Sequence, residues 1–126
     1  MPNKVLSVDD SATMRRIVSR VVATLGMEIV EAANGLEAMA ILEKQYEDIA
    51  LVVLDVNMPE MDGSETLLAI KKDPRFQSIP VMMLTTESER TRILDFIHNG
   101  AANYLVKPFA PDDLAAKMAA CLGDLF

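Results

Sequence analysis

Apolar positions along this chain fall into two kinds of stretch that alternate from one end to the other. Five are short apolar runs: 4–8 (KVLSV), 27–32 (MEIVEA), 49–54 (IALVVL), 79–84 (IPVMML) and 103–106 (NYLV). Runs of this length, separated by polar or turn-forming residues, predict strands. Between the first two, Met14, Ile17, Val18, Val21, Val22 and Leu25 recur at steps of three and four, while Arg15, Arg16, Ser19 and Arg20 take the opposite side. That spacing predicts an amphipathic helix, with Ser11 or Asp10 as its N-cap and Gly26 at its C-terminal end. The same logic predicts helices at 35–46, 64–72, 88–99 and 111–122, the last with Leu114, Met118, Cys121 and Leu125 on one stripe.

Strict strand–helix alternation with short connections implies parallel strands joined by right-handed crossovers, so the expected class is a doubly wound five-stranded parallel α/β sheet flanked by five helices. The third run is apolar at every position, as expected of a central strand covered on both faces. In such sheets ligands bind beyond the carboxyl ends of the strands.

Those ends carry the chemistry. Asp9, Asp10 and Ser11 follow the first strand, Asp55 and Asn57 the third, Thr85 and Thr86 the fourth, and Lys107 and Pro108 the fifth. Three carboxylates, a hydroxyl and an ammonium therefore converge on one rim. Like charges so close raise a pKa or attract a cation, and hard oxygen donors with room for water suit Mg²⁺. A carboxylate placed like Asp55 can act as a nucleophile toward phosphorus and form an aspartyl phosphate. Lys107 and the metal would offset the charge on the transferring oxygens, and the Thr85 hydroxyl would hydrogen-bond one of them.

Composition narrows the function. The chain has 126 residues, 51% of them hydrophobic, which fits one domain spanning 1–126. A net charge of −7 argues against a nucleic-acid surface. No apolar run approaches the roughly 18 residues of a membrane span, and no signal-peptide core precedes the first strand, so a cytoplasmic protein without membrane insertion is expected. Absent coiled-coil heptads, a monomer is expected. Cys121 reads as a packing residue, His98 as a helix-end imidazole rather than a metal ligand, and the methionines as core filler.

Four blocks carry a family likeness: "VDDS" (8–11), "LDVNMPEMDG" (54–63), "LTTE" (84–87) and "VKPF" (106–109). In this order, each at a strand end, they resemble the receiver domain of two-component response regulators over essentially the whole chain. The resemblance implies a flavodoxin/CheY-like sheet of order 2-1-3-4-5. It implies Asp55 as phosphoacceptor, Asp10 and Asp55 as Mg²⁺ ligands, Asp9 acting on the metal largely through water, and the Asn57 backbone carbonyl as a further ligand. Thr85 and Lys107 take the phosphoryl-binding roles, Lys107–Pro108 is expected cis, Tyr104 matches the switch aromatic, and Asn57 and Glu87 occupy positions that modulate dephosphorylation rate.

"VDDSATMRRIV" (8–18) further resembles the first helix of CheY-type chemotaxis regulators, although Ser11 stands where an aromatic is common there and Thr86 where Ala or Gly is. With no output domain after Phe126, such a receiver signals by binding a partner through helix 4, strand 5 and helix 5, about residues 88–122. The partners implied are a histidine kinase as phosphodonor and the flagellar motor switch. The alternative within this class is a receiver in a phosphorelay or a non-motility pathway.

Two other classes fit less well. A Mg²⁺-dependent phosphohydrolase of the haloacid dehalogenase type needs an acid two residues after its nucleophile, and here that residue is Asn57. A flavodoxin-like carrier needs a phosphate loop after the first strand, where Asp9 and Asp10 would repel phosphate. The chain is thus expected to catalyse only its own phosphorylation and dephosphorylation, and not to be an enzyme acting on an external substrate.

Overall fold

The structure, a computed structural model, describes residues 2–123. Its strands are β1 (Lys4–Val8), β2 (Glu28–Ala32), β3 (Ile49–Asp55), β4 (Val81–Thr86) and β5 (Asn103–Lys107). Its helices are α1 (Ala12–Thr24), α2 (Gly35–Gln45), α3 (Gly63–Lys72), α4 (Ile93–His98) and α5 (Pro111–Cys121), with 3₁₀ turns at Tyr46–Asp48 and Glu87–Arg92. The strands form one parallel sheet in the order β2-β1-β3-β4-β5, as expected.

Period-two alternation sorts the core between the two faces of this sheet. Leu6, Val52, Leu54, Val81 and Met83 pack with Ala38 and Leu42 of α2, Leu67 and Ile70 of α3, and Phe96 of α4. Val5, Leu51, Val53, Met82 and Leu84 pack with Val18, Val21 and Val22 of α1 and Leu114 and Met118 of α5. Every residue of β3 is buried, which is why its sequence lacks polar alternation.

Several boundaries move, each for a local reason. β4 starts at Val81 rather than residue 79, because Pro80 has no N–H to donate; its carbonyl instead accepts from Val52 N at 3.0 Å. β3, β4 and β5 each run on past the expected end to include Asp55, Thr85 with Thr86, and Lys107, since the parallel neighbours continue to offer partners there. β2 begins at Glu28, because the Met27 N–H is used to close α1 on the Val22 carbonyl. α2 stops at Gln45, and the chain tightens into the first 3₁₀ turn.

The largest departure is the expected helix over 88–99. Residues 87–92 form a 3₁₀ segment, and only Ile93–His98 is α-helical. Ser88, Glu89, Arg90, Thr91 and Arg92 include no apolar residue, so nothing there can form a stripe on the sheet; α4 packs on the core through Phe96.

At α1 the choice of cap is resolved in favour of Ser11, whose hydroxyl accepts from Met14 N, and Gly26 follows the helix at φ +73°, where glycine avoids the steric cost of a side chain. Leu114 and Met118 are buried and Cys121 is half-buried, consistent with the α5 stripe, while Leu125 lies outside the described residues. Among the described residues no helix is long and apolar enough to cross a membrane.

Candidate functional site

The order of the strands builds the site. β1 lies beside β3, which brings Asp9 and Asp10 next to Asp55 at the last position of β3. The three side chains each offer a carboxylate oxygen within 4.8 Å of the others. β5 is two strands away, and the length of the lysine side chain covers that gap: Lys107 Nζ lies 2.8 Å from Asp55 Oδ1 and 3.4 Å from Asp9 Oδ2. Asp9 Oδ1 also accepts from Ser11 N at 2.9 Å, and the Asp9 carbonyl accepts from Arg15 Nη1 at 2.6 Å, so α1 fixes the acidic turn at its own start.

Burial dominates the electrostatics. Asp9 is 2% exposed and Asp55 6%, whereas Asp10 is open to solvent. Burial pushes the Asp55 carboxyl up to about 6; the hydrogen bond from Lys107 opposes this, and the charges of Asp9 and Asp10 add to it. Asp9 is raised too, mainly by burial against the opposing Ser11 and Lys107 contacts. Burial alone would lower Lys107, but its hydrogen bond to Asp55 and the charges of Asp9 and Asp55 together raise it.

One ammonium facing three carboxylates leaves an excess of negative charge, all of it on hard oxygen donors with one open side. That donor set fits a divalent ion such as Mg²⁺. Thr85 lies one residue beyond Leu84, the register partner of Asp55, and is fully buried with no hydrogen-bond partner for its hydroxyl. An orphaned buried hydroxyl at this place fits a donor for an oxygen that arrives with a ligand.

The loop after Asp55 is held by close backbone approach. Gly63 N donates to the Val56 carbonyl at 2.8 Å, Met61 N to Pro59 at 2.8 Å, and Gly35 N to Met61 at 3.1 Å, while Glu60 takes φ 68°. Asp62 then starts α3 with a capping box: its carboxylate accepts from Glu65 N, and Glu65 reaches back to Asp62 N. A Cβ on Gly35 would collide with Thr66 Oγ1 and stand 2.8 Å from the Met61 carbonyl oxygen, so α2 meets the start of α3 here with no room for a side chain. Sequence reasoning missed the role of Gly35; its position directly after the helix cap Asn34 was the available signal.

The other expected residues are dispersed around this centre. Asn57 is exposed in the loop after β3. Glu87 is exposed and paired with Arg90 at 2.7 Å. Tyr104 sits on β5 in register with Met83, half-buried against the core, with Lys117 Nζ 5.4 Å above its ring. Lys107–Pro108 is cis, as expected. His98 ends α4, and Asp9, Asp10 and Asp55 are the one potential metal-holding group of three among the described residues. Sequence reasoning also missed Glu89, which is buried in the second 3₁₀ segment.

Comparison with known proteins points the same way. A family model described as the response regulator receiver domain matches residues 5–119. Chemotaxis protein CheY1 of Helicobacter pylori is 40% identical over 121 residues, covering 95% of this chain and 97% of the relative. A chemotaxis protein CheY homolog of Campylobacter jejuni is 39% identical over 121 residues, covering 95% and 92%. Among solved structures, the chemotaxis response regulator CheY4 of Vibrio cholerae superposes with a TM-score of 0.87 at 36% identity, over 97% of this chain and 100% of that one.

Proposed function

Because the chain belongs to the response regulator receiver domain family, we propose that it is a phosphorylation-switched signalling protein that takes a phosphoryl group on Asp55 from a histidine kinase and then changes its affinity for a target. The observation that carries this reading is the Lys107 ammonium 2.8 Å from Asp55, within an acidic cluster whose oxygens lie inside 4.8 Å.

Asp55 Oδ attacks phosphorus as the bond from phosphorus to the donor nitrogen breaks. The carboxylate becomes an acyl phosphate, and the electron pair leaves with the donor's imidazole. Lys107 shifts its ion pair from the carboxylate to a phosphoryl oxygen, and the Thr85 hydroxyl donates to another. Asp9, Asp10, Asp55 and the Asn57 carbonyl are the groups that would hold Mg²⁺, which when bound supplies charge neutralisation for the incoming phosphoryl group. Hydrolysis of the acyl phosphate resets the switch, with Asn57 and Glu87 setting its rate. No external substrate is turned over, so the protein is not an enzyme in that sense.

For the target we infer the flagellar motor switch, engaged through α4, β5 and α5, with Tyr104 as the residue that reports the phosphorylation state to that face. Support comes from the chemotaxis relatives and from Leu94, 80% exposed, and Ile97 on α4. The protein would then work as a monomer in the cytoplasm, where kinase and switch meet.

Incubation with Mg²⁺ and acetyl phosphate tests the reading. One phosphoryl group should appear on Asp55 by mass spectrometry, and none in Asp55→Asn; incorporation elsewhere overturns the assignment. Pull-downs with and without beryllofluoride test the target: a motor-switch protein should be retained more strongly in its presence, and equal retention would favour a phosphorelay or non-motility role.

A further inference from the structure

One buried acid plays no part in this chemistry. Glu89, in the second 3₁₀ segment, is 6% exposed. Its Oε1 accepts from Thr86 N at 3.0 Å and from the Thr86 hydroxyl at 2.8 Å, whereas its Oε2 is buried with no hydrogen-bond partner. Arg92 Nη1 stands 3.9 Å from that oxygen, a long ion pair but beyond hydrogen-bond reach. Arg92 is committed elsewhere: Nη2 donates to the Ser64 hydroxyl of α3, and the guanidinium lies 5.2 Å over the Phe96 ring.

A buried carboxylate oxygen held by a long ion pair and no hydrogen bond is costly, and a guanidinium is among its strongest hydrogen-bond partners. The same stretch of chain carries a second orphan, the Thr85 hydroxyl. The two are mechanically tied: the Thr86 N–H gripped by Glu89 belongs to the same rigid peptide plane as the Thr85 carbonyl.

We propose that Arg92 is a two-position latch, gripping Ser64 of α3 in the unphosphorylated protein and closing on Glu89 Oε2 in the phosphorylated one. The latch rests on the proposed function, because its trigger is the phosphoryl group on Asp55. That group gives the Thr85 hydroxyl an acceptor; movement of Thr85 turns the Thr85–Thr86 peptide and carries Glu89 with it. The intervening backbone is a 3₁₀ segment, with poorer hydrogen-bond geometry than an α-helix, and is free to shift. Both orphans are satisfied in the same state, so the exchange favours that state. Arg92 immediately precedes α4, so the latch transmits the change to the exposed Leu94 and Ile97. Glu89 and Arg92 are positioning residues, acting through Thr85 and α4 and touching no reacting atom.

Beryllofluoride with excess Mg²⁺ is the probe, and its apparent affinity, read by calorimetry, is the measurement. Ser64→Ala frees Arg92 and should tighten binding roughly three- to tenfold. Glu89→Gln keeps an acceptor for Thr86 but loses the charge that attracts Arg92, and should weaken binding by a similar factor. In the double variant the gain from Ser64→Ala should vanish, because it needs Glu89. In the wild type, the Arg92 Nε–H resonance should move on beryllofluoride addition, a readout independent of whether Glu89→Gln folds. Normal wild-type binding with unchanged affinity in Ser64→Ala, an undiminished gain in the double variant, or a stationary Arg92 resonance overturns the latch alone. Absence of wild-type binding overturns the underlying reading and the latch with it.

Discussion

Gly63 and Asp55 are in backbone contact: a Cβ added at Gly63 would collide with the Asp55 carbonyl oxygen and stand 2.8 Å from Val56 Cα. The start of α3 is therefore pressed against the peptide that carries Asp55, the proposed phosphoacceptor, and no side chain fits between them. Gly63→Ala should cost about 2–3 kcal/mol, as overpacking of rigid backbone does, and should slow phosphorylation by acetyl phosphate. Gly26 provides the contrast. A methyl group there would meet nothing within 4 Å, but the residue sits at φ +73°, so Gly26→Ala should cost only about 1–2 kcal/mol and leave phosphorylation unchanged. Urea denaturation and phosphorylation kinetics of both variants check this.

Asp55 predicts a pH dependence of stability in metal-free protein. Its carboxyl is raised from 3.8 to about 6 on folding, so the folded state holds the proton more tightly than the unfolded one. The resulting contribution is fully present below about pH 4 and is lost as pH rises through about 6. In chelator at pH 7, Asp55→Asn should therefore be more stable than the wild type, by on the order of 3 kcal/mol, with the difference disappearing toward pH 4. Asp9 is raised as well and acts in the same direction. Denaturant midpoints of the two proteins across this range measure it; a constant difference would contradict the buried, raised carboxyl.

Asp10 is the exposed member of the acidic cluster, so it would contribute charge to a bound metal while taking little part in packing. Asp10→Asn should weaken Mg²⁺ binding by about an order of magnitude or more while changing the chelated protein's stability by less than about 0.5 kcal/mol. Mg²⁺ titration followed by NMR, beside thermal denaturation in chelator, separates the two effects.

Lys71 anchors the approach to β4. Its Nζ donates to the Gln77 carbonyl at 3.0 Å and the Ile79 carbonyl at 2.7 Å, and burial lowers its pKa. Lys71→Met keeps the aliphatic stem and removes the donors, so it should cost about 1–2 kcal/mol and leave the rate of Asp55 phosphorylation unaltered. Hydrogen exchange should show the loss concentrated at residues 73–81, where Asp73 to Ile79 link α3 to β4.

The acidic centre was legible because it rests on residue types at strand ends. Asp9, Asp10, Asp55 and Lys107 follow or close apolar runs that any parallel arrangement must gather on one rim. Tyr104 was singled out only through family likeness, since its own stretch, NYLV, says nothing of switching. Glu89 was not legible: a charged residue in "ESERTR" reads as solvated, and its burial follows from its carboxylate turning back to Thr86.

The order of apolar and polar positions by itself determined the five strands, the amphipathic α1, α2, α3 and α5, and the rim on which the acids meet, because each depends on which residues must leave water. Tertiary structure alone decided where the strands end, which of Asp10 and Ser11 caps α1, how the stretch 87–98 divides, and how closely Gly35 and Gly63 let backbone approach backbone. Those outcomes depend on hydrogen-bond partners and neighbouring atoms supplied from distant parts of the chain, and periodicity carries no record of them.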